Sequence, residues 1–175
     1  MRIEPLFSAD EIQARVRELA GRLARDYAES PLTVVCITEG ARRFVDDLVM
    51  ALEGCGVQPV RMDVRAHRTE GTRLGPVQVE HFDPEWLDGR DVLITDDIAD
   101  EGATLQAVLE VVSLAEPRSV RTAVLIDKRG RRRQEVPIDY AAFELEAGWV
   151  IGYGMDVDGE YRELDWIGLL KDDRF

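Results

Sequence analysis

The residues best placed to do chemistry lie in one stretch, Val92-Leu93-Ile94-Thr95-Asp96-Asp97-Ile98-Ala99-Asp100-Glu101-Gly102-Ala103-Thr104. An apolar run ends in the paired carboxylates of Asp96 and Asp97. Asp100, Glu101 and a Gly-Ala-Thr turn follow, and helical spacing begins at Leu105. This is the pattern of a buried strand running into a loop at a helix N-terminus. Free backbone N–H groups and the helix dipole favour a phosphate there. The acid pair can hold hydroxyls or a hydrated Mg²⁺, and Asp100 can serve as a proton acceptor or as a helix N-cap.

The rest of the chain must position these groups. With 175 residues, it is long enough for one domain with a full core. An apolar content of 45% beside 33% charged residues fits a soluble globular protein. No apolar run approaches the roughly 18–20 residues of a membrane span, and the first residues lack the apolar stretch of a signal peptide. A cytoplasmic location is expected, with Cys36 and Cys55 as reduced thiols. The net charge of −13 argues against nucleic acid as a partner. Lys128 stands out because the only other lysine is Lys171.

Helical and strand patterns alternate. Ser8-Ala9-Asp10-Glu11 reads as a capping box opening a helix to about Ala28. Strands are expected at Leu32–Ile37, Val57–Val64, Val77–Phe82, Asp91–Thr95, Val120–Ile126, Pro137–Leu145 and Trp149–Tyr153. Helices are expected at Phe44–Leu52 and Leu105–Leu114. Thr38–Ala41 is a tight turn, Ala66–Gly75 a mobile loop and Arg129–Gln134 a charged loop, while the tail from Asp156 is partly packed. Such alternation predicts an α/β fold with a mostly parallel sheet. Its ligands bind at the carboxyl ends of the strands, so the turns after Ile37, Thr95, Ile126 and Ile151 should converge on one crevice.

The acidic segment resembles the phosphoribosyl-diphosphate (PRPP) motif of type I phosphoribosyltransferases, and further motifs extend the likeness to bacterial hypoxanthine-guanine phosphoribosyltransferases. Leu125-Ile126-Asp127-Lys128 is similar to their Leu-Leu-Asp-Lys. Val136-Pro137-Ile138-Asp139-Tyr140, Trp149-Val150-Ile151-Gly152-Tyr153-Gly154-Met155-Asp156 and Tyr161-Arg162-Glu163-Leu164 match further segments in the same order. The resemblance implies a mostly parallel central sheet flanked by helices, with a small hood subdomain, all in a single domain over residues 1–175. It also implies transfer of the phosphoribosyl group of PRPP to a 6-oxopurine, hypoxanthine or guanine, with Mg²⁺, in a homodimer or homotetramer.

The same resemblance implies roles by position. Asp96 and Asp97 engage the ribose hydroxyls and, with Asp156, the metal. Asp100 handles the purine proton. Glu101, Gly102, Ala103 and Thr104 form the phosphate loop, and Glu39, Gly40 and Arg162 the pyrophosphate side. Lys128, Trp149, Val150 and Asp156 bind the base: Lys128 donates to the 6-oxo group, Trp149 stacks, and the Val150 backbone reads the Watson–Crick edge.

Three departures stand out. Glu39 replaces a common Lys, Glu101 replaces a Thr, and His67-Arg68-Thr69-Glu70-Gly71 replaces a Ser-Ser-Tyr-Gly loop. Like charges about 4 Å apart at an effective dielectric near 20 cost roughly 4 kcal/mol. An alternative therefore stands beside the transferase: a homologue that binds a nucleotide or PRPP as a regulatory module, or that acts on a different base.

Overall fold

The computed structural model describes residues 2–68 and 77–171. The expected positions Thr69, Glu70 and Gly71 of the mobile loop lie outside the described residues.

Each element forms where its sequence demands. Ser8 caps α1 (Ala9–Asp26): its Oγ accepts from Glu11 N at 3.3 Å, and Glu11 Oε2 accepts from Ser8 N at 2.8 Å. This is the capping box read from the sequence. Strand β2 (Leu32–Thr38) then enters the sheet, followed by α2 (Arg42–Gly54) and β3 (Val60–Arg68). β3 starts later than expected, because the Val57 N–H returns to the Leu52 carbonyl to close the helix end and Pro59 precedes the strand. It also runs on past Val64, since Arg65–Arg68 pair with β4 (Val77–Glu80). The expected loop from Ala66 to Arg68 is therefore strand.

The chain continues through β5 (Asp91–Ala99), α3 (Ala103–Ser113), β6 (Ser119–Lys128) and β7 (Tyr140–Leu145). One sheet has the order β4-β3-β2-β5-β6-β7. Its pairings are parallel except for β3 with β4. A sheet of this kind must be covered on both faces. Alternate residues of β2 show how: Val34 and Cys36 join a core with α1 and α2, whereas Val35 and Ile37 join one with α3. Each fully buried Leu or Ile contributes roughly 1.5–3 kcal/mol. Ile12, Leu19 and Leu23 of α1 are all buried this way.

A second sheet has the order β1-β9-β8, built from β1 (Arg2–Phe7), β9 (Ile167–Lys171) and β8 (Trp149–Ile151), all antiparallel. β1 was not expected from the sequence. It joins the chain's beginning to its tail, and β8 forms one edge of this hood.

Topology fixes the site. β2 pairs with β3 on one side and β5 on the other, so the strand order reverses between β2 and β5. A crevice opens at the carboxyl ends of such strands. No helix is long and apolar enough to cross a membrane among the described residues.

Candidate active site

β5 extends four residues past its expected end, because Asp96, Ile98 and Ala99 keep pairing with β6. The acid pair is thus part of the strand instead of following it. Consecutive strand residues point to opposite faces, and the two carboxylates separate accordingly. Asp96 lines a cleft of about 280 Å³ together with Ile98, Asp100, Glu101, Gly102, Ala103, Thr104, Arg131 and Trp149. Asp97 turns toward the loop after β2, where a Cβ on Gly40 would overlap its Oδ2. A Cβ on Gly154 would in turn meet the Gly40 carbonyl. The two backbone turns and one carboxylate are therefore stacked. The Thr38–Glu39 peptide leading into the first turn is cis.

Backbone amides hold both acids. Asp97 N donates to Asp96 Oδ1 at 2.9 Å, and Ile98 N to Asp97 Oδ1 at 2.7 Å. Burial pushes the Asp96 carboxyl well above the usual range, and the neighbouring Asp97 charge adds to this. Burial also raises Asp97, opposed by its hydrogen bonds with Asp96 and Ile98 N and by the field of Arg162. Two adjacent carboxylates, one buried and one half-buried, with no salt-bridge partner within the described residues, suit a divalent cation. No cluster of three or more metal-ligating side chains exists among the described residues. This donor set fits Mg²⁺, which takes one or two carboxylates and fills its shell with water and phosphate oxygens.

Asp100 begins the loop into α3. Its Oδ2 accepts from Lys128 Nζ at 2.9 Å and lies 3.6 Å from Arg131 Nη1. Its Oδ1 is buried and has no hydrogen-bond partner among the described residues. Lys128 does not line the cleft. It ends β6, 3% exposed, and stands behind Asp100. Gly102 caps α3 with φ +90, a left-handed value that favours glycine. A Cβ there would also crowd Arg132 and the Gln134 carbonyl.

Trp149 is 36% exposed and forms the opposite wall. Val150 is buried in β8, whose far edge is unpaired within its sheet. Arg162 donates to the Gly154 carbonyl at 2.7 Å and pairs with Asp156 at 2.6 Å. Arg162, Asp156, Gly154, Gly40 and Asp97 therefore form a cluster beside the cleft. Glu39 lies apart from it, with its side chain 68% exposed and 4.0 Å from Arg42. Glu101 does line the cleft, with Arg131 at 3.5 Å and Arg133 at 3.8 Å.

Sequence reasoning placed a charged loop at Arg129–Gln134, after β6, but gave it no role. Arg132 donates to the carbonyls of Ala99 (2.9 Å) and Asp100 (3.0 Å) and to Asp127, fastening the strand end to the loop. The available signal was a run of arginines directly after a strand whose carboxyl end faces the crevice.

A six-stranded sheet with its order reversed at an acidic strand end, beside a glycine-capped helix, is an α/β frame suited to a phosphate-bearing ligand. The family model described as "phosphoribosyl transferase domain" matches residues 6–158, and the chain belongs to that family. It is 35% identical over 173 residues to a hypoxanthine-guanine phosphoribosyltransferase of Dictyostelium discoideum, covering 97% of this chain and 96% of the relative. Identity to the enzyme of that name from Bacillus subtilis is 31%, over 95% and 92% of the two chains. Among solved structures, the hypoxanthine phosphoribosyltransferase of Trypanosoma cruzi in complex with the product IMP superposes with a TM-score of 0.91. The two are 32% identical over 98% of this chain and 96% of the other.

Proposed function

We propose that this protein, acting as a single domain over residues 1–175, transfers the 5-phosphoribosyl group of PRPP to a 6-oxopurine, hypoxanthine or guanine. The products are IMP or GMP and pyrophosphate, a purine-salvage reaction. The observation that carries this reading is Asp100. The residue lines the cleft; one of its oxygens is pinned by Lys128, and the other is buried and has no hydrogen-bond partner among the described residues. A carboxylate so placed is ready to accept a proton from a bound ring. Membership of the family and the named relatives support the same reaction.

In this reading the purine stacks on Trp149, and its imidazole edge meets Asp100 Oδ1. Lys128 has three donors; one holds Asp100, and a turn of the side chain toward the cleft when the base binds would bring another to the 6-oxo group. Adenine would present a donor at that position. The free edge of β8 at Val150 reads the rest of the base. Gly102, Ala103 and Thr104 present N–H groups to the 5′-phosphate. The ribose hydroxyls meet Asp96 and Asp97. As the bond from C1′ to the base nitrogen forms, the bond from C1′ to the pyrophosphate oxygen breaks, and the ring proton passes to Asp100. Positioning and charge stabilisation supply most of the acceleration.

Mg²⁺ belongs with Asp96 and Asp97, and with Asp156 on the pyrophosphate side; when bound, it would neutralise the leaving pyrophosphate. Gly40 and Arg162 complete that side. The Glu39 side chain points outward beside Arg42, and Glu101 is countered by Arg131 and Arg133. These pairings favour an active transferase over a regulatory module. A homodimer or homotetramer is the assembly that the family resemblance implies.

The test is pyrophosphate release with Mg²⁺, PRPP and each of adenine, hypoxanthine, guanine and xanthine. The expected result is turnover with 6-oxopurines and not with adenine, strongly reduced in Asp100→Ala. A folded protein that turns over no base would sink the reading.

A further inference from the structure

The loop after β6 carries more positive charge than the roles above use. Arg132 is committed to backbone carbonyls and Asp127. Arg131 and Arg133 are not. Their side chains are 50% and 66% exposed, and both approach the same oxygen, Glu101 Oε1, at 3.5 and 3.8 Å. These separations exceed the roughly 2.7–2.9 Å of a tight charge-assisted bond. Arg131 is further divided, lying 3.6 Å from Asp100 Oδ2. The backbone of Glu101 is fixed, because its carbonyl accepts from Arg133 N at 3.1 Å and Gln134 N at 3.0 Å. A solvent-reachable guanidinium is therefore shared loosely by two carboxylates, at a cleft formed in part by the start of α3.

We propose that Arg131 is a phosphate-binding residue of this cleft and that Glu101 competes with the phosphate for it, with Arg133 helping to hold the carboxylate. The proposal rests on the reading of the cleft as a nucleotide site. A planar guanidinium forks onto phosphate as well as onto carboxylate. The more highly charged phosphate monoester draws Arg131 away from Glu101, whose carboxylate then remains with Arg133. The negative charge on Glu101 thereby lowers affinity for phosphorylated ligands, and Arg131 transmits that effect. A hydroxylated residue at this position would leave Arg131 without the competitor.

A double-mutant cycle tests this, with IMP as the probe and its dissociation constant measured by calorimetry for the parent, Glu101→Gln, Arg131→Ala and the double variant. The expected result is IMP binding about tenfold tighter in Glu101→Gln and about tenfold weaker in Arg131→Ala, each about 1.4 kcal/mol. In the Arg131→Ala background the gain from Glu101→Gln should vanish, which is the signature of coupling. A gain that persists without Arg131 means simple repulsion between carboxylate and phosphate, and overturns the proposal. So does a Glu101→Gln variant that binds no more tightly than the parent. A folded parent that does not bind IMP at all refutes the nucleotide reading of the cleft itself, and the proposal with it.

Discussion

The two ends of β5 carry buried carboxylates in opposite electrostatic states. At the amino end, Asp91 accepts from Ser119 at 2.6 Å and from Arg118 Nε at 3.1 Å, and Ser30 and a second Arg118 nitrogen also donate to it. The Arg118 guanidinium and the two hydroxyls hold its carboxyl well below the usual range. At the carboxyl end, Asp96 is equally buried, yet it accepts from the Asp97 backbone amide and its neighbouring charge is another carboxylate. Burial is the same and only the partners differ. A buried charge given a cation and donors stabilises a fold; one left beside a like charge costs stability. The strand is therefore anchored at one end and keeps the other for a ligand that brings positive charge or hydroxyl donors.

The largest expected effect is at the carboxyl end. Asp100→Asn, which keeps a carbonyl oxygen for the buried Lys128 ammonium, should lower the rate of pyrophosphate release by about 10²–10³-fold with a higher unfolding midpoint than Asp100→Ala, which leaves that ammonium without its carboxylate. An Asp100→Asn variant that keeps its turnover per folded molecule would make Asp100 a structural acid like Asp91.

Next comes the amino end. Asp91→Ala should destabilise the protein by about 2–3 kcal/mol in urea unfolding, with turnover per folded molecule unchanged. The pH dependence has a definite sign. Because the folded-state pKa of Asp91 is depressed, its contribution is fully present above the unfolded value, about 3.9. It is lost as pH falls from there toward the folded value. Asp91→Asn should therefore show a shallower loss of stability than the parent on acidification below about pH 4. An identical acid limb in the two proteins would remove Asp91 from the account.

Asp96→Asn should do the reverse of Asp91→Ala. Removing one of two like charges from a buried site should raise the midpoint by about 2–4 °C, the shift that ~1 kcal/mol produces at this chain length, while turnover is lost. A lower midpoint would mean that Asp96 is already neutralised in the fold.

The smallest effect belongs to Glu39. It sits at the carboxyl end too, but in water, where its charge is screened. Glu39→Gln should change the apparent affinity for PRPP by about twofold or less. A tenfold gain would show that its charge acts on the bound phosphates.

Much of this was legible in the sequence because it is local. The Ser8–Glu11 capping box, the apolar run of β5 and the glycine before α3 each specify their structure within a few residues. What was not legible depends on distant partners. Arg2–Phe7 contains Pro5 and has no strong strand pattern; it becomes a strand because residues 167–171 offer it an antiparallel partner. Lys128 lies two residues past the expected end of its strand at Ile126, yet it is the buried end of β6. Glu39 and Glu101 are alike in sequence as acids in phosphate-type turns, and the structure separates them: one is exposed beside Arg42, the other lies in the cleft between Arg131 and Arg133.

The sequence by itself determined which groups are present and in what order along each strand and loop. Residue type, apolar period and turn chemistry act over a few positions and are readable there. The tertiary structure alone decided how each charge is compensated. Asp91 and Asp96 are five positions apart in one strand. Whether each carboxylate meets a guanidinium, a hydroxyl or another acid depends on segments remote in the chain, and at a few ångströms in a buried site those neighbours govern the energy of the charge.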